Sequence, residues 1–217
     1  MSGQPSRPPK RRRRDRAETD ALVLETVREM LCRDGALAGF TLQNVADEAG
    51  VNRVQLYQNF GSKQALLRAA ISDLFQQTAE SRAAHRYLPF KERRRWMFEQ
   101  FLATPDLVRL EALLAQDGDQ DFSVFPEFDL TVENLKTDMD NGALPPDADP
   151  VALHVLTAAT YMGYCIFKEA FSRDTGVARD DLDMRVLNAF SDLLNRLTAT
   201  PDGATGDAAR QGSAEQS

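Results

Sequence analysis

The segment from residue 41 to residue 63, TLQNVADEAGVNRVQLYQNFGSK, constrains the fold more than any other part of the chain. Its apolar residues are spaced so that two short helices can pack across a turn, and Gly50 lies where that turn requires a positive φ. Thr41, Asn52 and Ser62 each precede a predicted helix and are residue types that cap helix N-termini. This pattern predicts a helix-turn-helix, in which the second helix enters the major groove of DNA.

The second helix of the pair, over about residues 52–59, is rich in polar side chains. Leu56 supplies a buried side. The side chains that can reach base edges and phosphates are Arg53, Gln55, Gln58 and Asn59. An ordinary helical hairpin inside a core is the alternative. We favour DNA recognition because donors crowd this short helix and a basic segment lies upstream.

The run AGVNRVQLYQNFGSKQALL resembles the DNA-binding domain of the tetracycline-repressor (TetR) family. The usual family run is Ala-Gly-Val-Ser, a variable residue, Gly, a variable pair, Tyr, a variable residue, His-Phe, and a Lys shortly after. Tyr57, Phe60 and Lys63 keep that spacing, and the resemblance covers about residues 16–70. It implies an all-α protein, with an N-terminal three-helix DNA-binding domain that contains the helix-turn-helix and a C-terminal helical domain for ligand binding and dimerisation.

Three positions depart from the family pattern. Asn52 stands where the family has Ser and keeps a capping side chain. Val54 stands for Gly, and Asn59 stands for His, which keeps a hydrogen-bond donor but not the ring. The intact spacing of the other motif residues outweighs these differences.

The resemblance also implies roles for individual side chains in DNA binding. Tyr57 and Lys63 are expected to contact phosphates, together with Thr41. Arg53 and Gln55 are expected to face the bases. The remaining DNA-binding candidates, expected nearby, are Asn52, Gln58 and Asn59.

The net charge of −7 conceals opposite charges in two parts of the chain. Residues 1–16 carry seven basic and one acidic side chain, a net charge of +6, which leaves −13 for residues 17–217. A basic arm ahead of an acidic body is typical of a nucleic-acid-binding protein. The arginines expected to lie against DNA beside the helix-turn-helix are Arg11, Arg12, Arg13 and Arg14. A solvated, nonspecific tail is the alternative.

Helical periodicity continues through the rest of the chain and predicts no strands. A helix that begins at Ser62 is expected to run to about Ala84 and to link the two domains. The expected division is a disordered basic arm at 1–15, the DNA-binding domain at 16–62, the ligand-binding and dimerisation domain at 63–197, and a disordered tail at 198–217.

Aromatic residues are dense in the second domain, where the family resemblance implies a ligand cavity. Cavities between helices that are lined by aromatic side chains are a common form of small-molecule site, and plain core packing is the alternative for each residue. The candidates are Trp96, Phe101, Phe125, Phe128, Tyr161 and Tyr164. We expect a mostly apolar ligand, bound between the helix that begins at Ser62 and the long helix that contains Tyr161.

One helix-turn-helix spans about half a turn of DNA, so useful affinity requires two half-sites and predicts a homodimer. The expected interface combines small residues on one long helix with the apolar stripe of the last helix, which a monomer would leave in water. The residues expected in this interface are Ala158, Ala159, Phe190 and Leu194.

The composition does not favour an enzyme, a metal site or a cofactor. His85 and His154 lie far apart, and the sequence has no Gly-rich phosphate loop, Cys-x-x-Cys or His-Glu-x-x-His motif. Asp117, Asp119 and Asp121 alternate as in a calcium loop, but the glutamate that such a loop requires is missing. We therefore expect a solvated acidic loop there and no catalysis.

Cys32 and Cys165 are isolated on apolar helical faces and are expected to be buried thiols, which fits a reducing cytoplasm. No apolar run reaches the roughly 18 residues of a membrane span, and no apolar region follows the basic N-terminus as in a secretory signal.

Together these features predict a cytoplasmic, homodimeric repressor that a small apolar ligand releases from a palindromic DNA operator. Two alternatives remain at this point. One is a helical protein that binds a ligand or a partner without specific DNA recognition. The other is an architectural DNA binder that uses mainly the basic arm.

Overall fold

The computed structural model describes residues 15–34 and 41–198, which form α-helices and no strand, as the sequence predicts. The helices are α1 (Arg16–Asp34), α2 (Leu42–Ala49), α3 (Arg53–Phe60), α4 (Lys63–Gln77), α5 (Ala79–His85), α6 (Phe90–Ala103), α7 (Pro105–Asp117), α8 (Phe128–Asp140), α9 (Pro150–Thr175) and α10 (Arg179–Leu197). The arm arginines 11–14 and the tail from residue 199 onward lie outside the described residues.

The described residues divide into two compact units. Unit 1 comprises the residues up to Ala79 together with Arg109–Val124, and unit 2 comprises Glu80–Val108 and the residues from Phe125 onward. The predicted domain boundary at residue 62 is therefore misplaced. Helix α4 packs against α1 and α3 and belongs with them.

The turn between α2 and α3 has the geometry that the sequence predicts. Gly50 has φ +63° and ψ +35°, the left-handed conformation that glycine adopts without steric cost. The N–H of Val51 donates to the carbonyl of Ala46 at 3.0 Å, and the N–H of Gly50 donates to the carbonyl of Asp47 at 3.3 Å. These two bonds satisfy the last carbonyls of α2 and fix the direction in which the chain enters α3.

The predicted N-terminal caps of α2, α3 and α4 are confirmed. The side chains of Thr41, Asn52 and Ser62 each accept a hydrogen bond from a backbone N–H two or three residues further along the chain. A cap of this kind stabilises a helix by about 1 kcal/mol. That contribution matters most for α2 and α3, since each has only 8 residues.

The core of unit 1 joins its helices through fully buried aliphatic side chains. Val27, Val45, Leu56 and Leu66 come from α1, α2, α3 and α4 in turn, and each is at most 2% exposed. Leu110 of α7 completes the same cluster. Each such burial contributes about 1.5–3 kcal/mol relative to an exposed side chain.

The predicted helix from Ser62 to Ala84 is two helices in the structure. Helix α4 ends at Gln77, and α5 begins at Ala79. Between them, the hydroxyl of Thr78 donates to the carbonyl of Leu74 at 3.2 Å. Thr26 and Thr157 make the same kind of bond inside the continuous helices α1 and α9, so this bond does not by itself explain the break.

Unit 2 is built around α9, which packs against α6, α8 and α10. Phe98 of α6 lies at the centre, with its ring edge-on to Tyr164 at 5.7 Å and to Phe190 at 5.3 Å between ring centroids. Cys165 is buried in the same cluster as predicted. Burial raises the pKa of the Cys165 thiol to about 11, so the thiol stays protonated at neutral pH. The side chain of Cys32 lies outside the described residues.

Helix α9 is long and apolar enough to cross a membrane by length and composition, which the sequence analysis did not anticipate. Its packing identifies it as a core helix, because several of its side chains are buried within unit 2. These buried residues are His154, Thr157, Ala158, Tyr161, Tyr164 and Cys165.

Replacing Gly50 with alanine tests the turn. No atom lies within 4 Å of a Cβ added at Gly50, so the cost comes from the left-handed backbone conformation alone. We expect Gly50→Ala to lower the free energy of unfolding by about 1–2 kcal/mol, and Gly50→Asn to cost less. Urea unfolding measures both. Equal stability of the unaltered chain and Gly50→Ala would contradict this account of the turn.

Candidate nucleic-acid interface and ligand cavity

Helix α3 exposes most of its side chains. Leu56 is 2% exposed and is the side chain that α3 buries in the core of unit 1. Val54 is 61% exposed although it is apolar. The other exposed side chains of this helix are Arg53, Gln55, Tyr57 and Gln58. These residues form a mixed surface of hydrogen-bond donors and one aliphatic group, which is the chemistry that base edges in the major groove require.

Arg53 differs from the other arginines around it. Its guanidinium carbon lies 5.4 Å from the centroid of the Tyr57 ring, a cation–π contact, and it forms no ion pair within the described residues. Four other arginines of unit 1 are paired with carboxylates of the same unit, namely Arg16, Arg28, Arg33 and Arg68. Arg53 is therefore positioned by a ring and retains its hydrogen-bond donors for an external acceptor.

Asn59, also predicted among the DNA-contacting donors, is less exposed than its neighbour Gln58 on α3. Its side-chain nitrogen donates to Asp20 Oδ1 at 2.6 Å, and this bond ties α3 to α1. One of the two N–H donors of this amide is thus used inside the unit. Asn52 remains at the start of α3, where its side-chain oxygen accepts from the N–H of Val54 at 2.8 Å.

The predicted phosphate-contacting residues are exposed at helix N-termini or on α3. Thr41 caps α2, Lys63 is the first residue of α4, and Tyr57 is 42% exposed. Helix N-termini present unpaired N–H groups and a positive dipole end, both of which favour phosphate.

Unit 2 contains a cavity of about 90 Å³ among α5, α6, α8 and α9. Its apolar lining residues are Trp96, Met97, Leu130 and Tyr161. Its charged lining residues are Arg82, Arg86, Arg93, Arg94 and Glu127. Its remaining polar lining residues are His85, Thr131, Asn134 and His154. No residue of α4 lines it, so the predicted placement beside the helix that begins at Ser62 is wrong for this cavity.

Two of the six predicted ligand-binding residues, Trp96 and Tyr161, line this cavity. The other four lie outside its lining. Phe101 packs on the ring of Tyr161 with centroids 4.9 Å apart. Tyr164 donates a hydrogen bond to Asp183 at 2.6 Å on the side facing α10.

The remaining two predicted residues lie behind His154 rather than in the cavity lining. The ring centroids of Phe125 and Phe128 are 4.4 Å and 5.9 Å from that of His154. The rings of Phe125 and Phe128 therefore position His154, which itself lines the cavity. Most of the lining residues are charged or polar, yet apolar atoms supply most of the lining surface, so the expectation of a mostly apolar ligand stays a prediction.

Arg94 is the least exposed charged residue of the cavity, at 4%. Its Nη1 donates to Nδ1 of His154 at 3.2 Å, and its guanidinium carbon lies 5.6 Å from the centroid of the Phe90 ring. Its Nε and Nη2 are buried and have no hydrogen-bond partner. Burial lowers the pKa of Arg94, yet a guanidinium stays charged in proteins.

His154 accepts the bond from Arg94 and must therefore be neutral. Burial, reinforced by the charge of Arg94, lowers the pKa of His154 from 6.5 to about 4. The sequence pattern alone did not single out Arg94 as a site residue. The signal it missed is that Arg94 lies between the core residues Phe90 and Phe98 on one helix face, four residues from each.

The surface of α9 and α10 also differs from the prediction. Ala158, Phe190 and Leu194, expected in a dimer interface, are at most 5% exposed because they pack inside unit 2. Ala159 is exposed as predicted. Large apolar side chains exposed on the same two helices are Leu156 at 66%, Phe167 at 56% and Leu193 at 63%, and Leu193 belongs to the predicted stripe of the last helix.

An exposed helix after a capped glycine turn, together with a second helical unit that contains a cavity, defines an all-α DNA-binding regulator. Residues 29–70 match the family model described as bacterial regulatory proteins, tetR family. This match identifies residues 29–70 as a DNA-binding region of the tetR family type, and it supports a role in the regulation of transcription.

Solved structures share the fold over most of the chain. A candidate transcriptional regulator, SCO4942 from Streptomyces coelicolor, is 20% identical with a TM-score of 0.63, covering 84% of this chain and 99% of that one. A structure reported for the control of antibiotic production by a bacterial hormone is 19% identical with a TM-score of 0.55, covering 85% and 98%.

A mutant of HlyIIR with residues replaced by a linker is 16% identical with a TM-score of 0.54, covering 87% of this chain and 100% of that one. No curated protein matches the chain. At these identities the structural neighbours establish the fold.

The protonation state of His154 can be measured directly. The pKa of His154 is lower in the folded chain than in the unfolded chain, so folding favours the neutral ring. The contribution of this neutral ring to stability is therefore present above pH 6.5 and is lost as the pH falls toward 4. That contribution is at most about 3 kcal/mol. We expect the His154 Cε1–H signal, assigned with a His85→Gln variant, to show a neutral ring at pH 5.5 (roughly one unit below the ordinary midpoint). A midpoint near 6.5 would contradict the Arg94–His154 geometry.

Proposed function

We propose that the protein is a cytoplasmic, homodimeric repressor that binds a palindromic DNA operator through α3 and is released by a small ligand bound in the cavity of unit 2. The observation that carries the proposal is the exposed α3 surface, in which Arg53 has no ion pair among the described residues. A similar structure is reported for control by a bacterial hormone, and that supports a small-molecule effector here.

The proposal assigns two kinds of DNA contact. Arg53 and Gln55 face base edges, with Asn52 and Gln58 beside them, because these side chains are exposed near the N-terminal half of α3. Val54 adds an exposed aliphatic group that suits the methyl group of thymine. The residues assigned to phosphates are Thr41, Tyr57 and Lys63.

Substitutions on this surface separate base recognition from phosphate binding. Arg53→Ala should reduce the discrimination between bases at particular positions of the duplex, by about 1–3 kcal/mol at each position. Lys63→Ala should weaken binding to all duplexes alike and reduce the slope of log affinity against log salt by about one unit. Fluorescence anisotropy on single-base-pair variants of the preferred duplex measures both effects. An unchanged preference in Arg53→Ala would show that α3 does not recognise the bases.

The basic arm is proposed to add phosphate contacts through Arg11, Arg12, Arg13 and Arg14. Deleting residues 1–14 should therefore weaken binding and flatten its salt dependence by several units of slope, since each lost phosphate contact accounts for about 0.9 unit. The same salt titration on the shortened chain tests this. An unchanged slope would identify the arm as a solvated tail.

The dimer is proposed to form through an exposed apolar stripe on α9 and α10, defined by Leu156, Ala159, Gly163, Phe167 and Leu193. On α9 these residues recur every three or four positions and so share one helix face. The small side chains at 159 and 163 allow two helices to approach closely. Exposed Leu and Phe side chains on such a face lose contact with water when a second copy covers them.

A double substitution tests this interface. Light scattering of the unaltered chain should give twice 24.2 kDa, and Leu156→Asp with Leu193→Asp should give a monomer, because two buried carboxylates would be unpaired. The control is Tyr87→Asp, since Tyr87 is an 81% exposed apolar residue away from both helices. A dimer that persists in the double variant would place the interface elsewhere.

A further inference from the structure

The cavity of unit 2 carries an excess of positive charge. Among its lining residues, four arginines face the single carboxylate of Glu127, which lies 3.5 Å from Arg86. Arg93 pairs with Asp138 of α8 outside the lining. The lining therefore contains more arginines than carboxylates. Such an imbalance around a small, partly enclosed volume favours an anion.

Within this positively charged cavity, Arg94 supplies the specific binding site for an anion. Its Nε and Nη2 lie on the same edge of the planar guanidinium, and both are buried without a partner. Unpaired buried donors of a charged group are costly, and His154 satisfies only the Nη1 side. The hydroxyl of Tyr161 is also hydrogen-bonded to Arg94, and the carboxylate of Asp138 lies near enough to favour its charge. His154 and the Tyr161 hydroxyl are both uncharged, and within the described residues no carboxylate forms an ion pair with Arg94.

We propose that the cavity binds a small organic carboxylate, with its two oxygens on Nε and Nη2 of Arg94 and its carbon skeleton against Trp96 and Tyr161. A guanidinium edge matches a carboxylate with two parallel hydrogen bonds. A monoanion also suits the apolar side of the lining, since burying a doubly charged phosphate costs more desolvation. A volume of about 90 Å³ accommodates the acid end of such a molecule.

This assignment adds a chemical class of ligand to the proposed function. It rests on the proposed function only in taking the acid to be the effector that releases DNA. Its binding must differ between the DNA-bound and DNA-free states to release the operator. By linkage, the operator then weakens acid binding by the same factor as the acid weakens operator binding. Binding of the acid itself requires only unit 2.

The chain offers a built-in probe of this cavity, because Trp96 lines it and is the only tryptophan of the sequence. Butyrate and benzoate would be titrated into the full chain, each against its neutral amide, butyramide or benzamide, with calorimetry and Trp96 emission as readouts. We expect both acids to bind with dissociation constants on the order of a millimolar or below. We expect the amides to bind at least about tenfold more weakly and the emission to change with the acids.

Variants of neighbouring arginines localise the binding. Arg94→Met keeps the length and apolar stem of the side chain and should weaken acid binding at least about tenfold. Arg95→Met is the matched control, since Arg95 is adjacent on α6 but pairs with Glu99 outside the cavity lining. Arg94→Lys keeps the positive charge but not the pair of parallel donors, so its affinity for the acids should lie between the affinities of Arg94→Met and Arg95→Met. Circular dichroism verifies the fold of each variant.

Several results would overturn the assignment. They are equal affinity for acids and amides, binding of inorganic phosphate but of neither acid, no binding of either acid at millimolar concentration, or equal affinity in Arg94→Met and Arg95→Met. The comparison of acid with amide uses the unaltered chain, so it decides the question even if the Arg94 variants unfold.

Repeating the titrations with the preferred DNA duplex separates this inference from the proposed function. Acid binding that depends on Arg94 and is equal with and without DNA would retain the carboxylate site and refute release by ligand. Specific DNA binding by a chain that binds neither acid would retain the repressor and refute the carboxylate site. Weaker acid binding in the presence of DNA supports both.

Discussion

Helix α3 fully buries only one of its side chains in unit 1, and its proposed function depends on the exposure of most of the others. Leu56 is its one buried side chain, the Asn52 cap fixes its start, and the bond from Asn59 to Asp20 ties its end to α1. The turn at Gly50 sets the angle at which it leaves α2. Because so few side chains anchor the helix, the others remain exposed. A longer helix with a wide apolar face would bury the donors that DNA recognition needs.

In unit 2, too, an arrangement that suits function does not favour stability. The guanidinium of Arg94 is buried there without a carboxylate partner. Replacing such a charge with an apolar side chain often leaves a protein equally or more stable, so packing gives no reason for Arg94. Its contacts with His154 and Phe90 hold the group in place without neutralising it. A binding role accounts for this arrangement, since an anion would satisfy the donors that the protein leaves unpaired.

The helix-turn-helix could be predicted in detail because its signals are local. Caps, a glycine at a left-handed turn and a single apolar position are each visible within a few residues of sequence. The end of α4 could not be predicted in this way, since the apolar periodicity continues past Gln77. The cavity was harder still, because it joins residues from four helices that are distant in sequence.

The predicted dimer residues show that a helix can be predicted correctly while its exposed face is predicted wrongly. Both α9 and α10 were predicted, yet Phe190 and Leu194 face the core whereas Leu193 faces outward. Neighbouring positions on a helix differ by about 100° in direction, so a stripe chosen one residue away from the exposed face lands in the interior. The packing of α10 against α6 and α9 determines which of its faces is buried.

The central claim is that this chain recognises a DNA sequence, and selection from a pool of random duplexes tests it most directly. The full-length chain would be incubated with the pool, and bound duplexes would be amplified and sequenced over successive rounds. The account predicts enrichment of an inverted repeat whose half-sites are about one helical turn, or a multiple of it, apart. Recovery of duplexes without any shared sequence, bound only through salt-sensitive contacts, would contradict it.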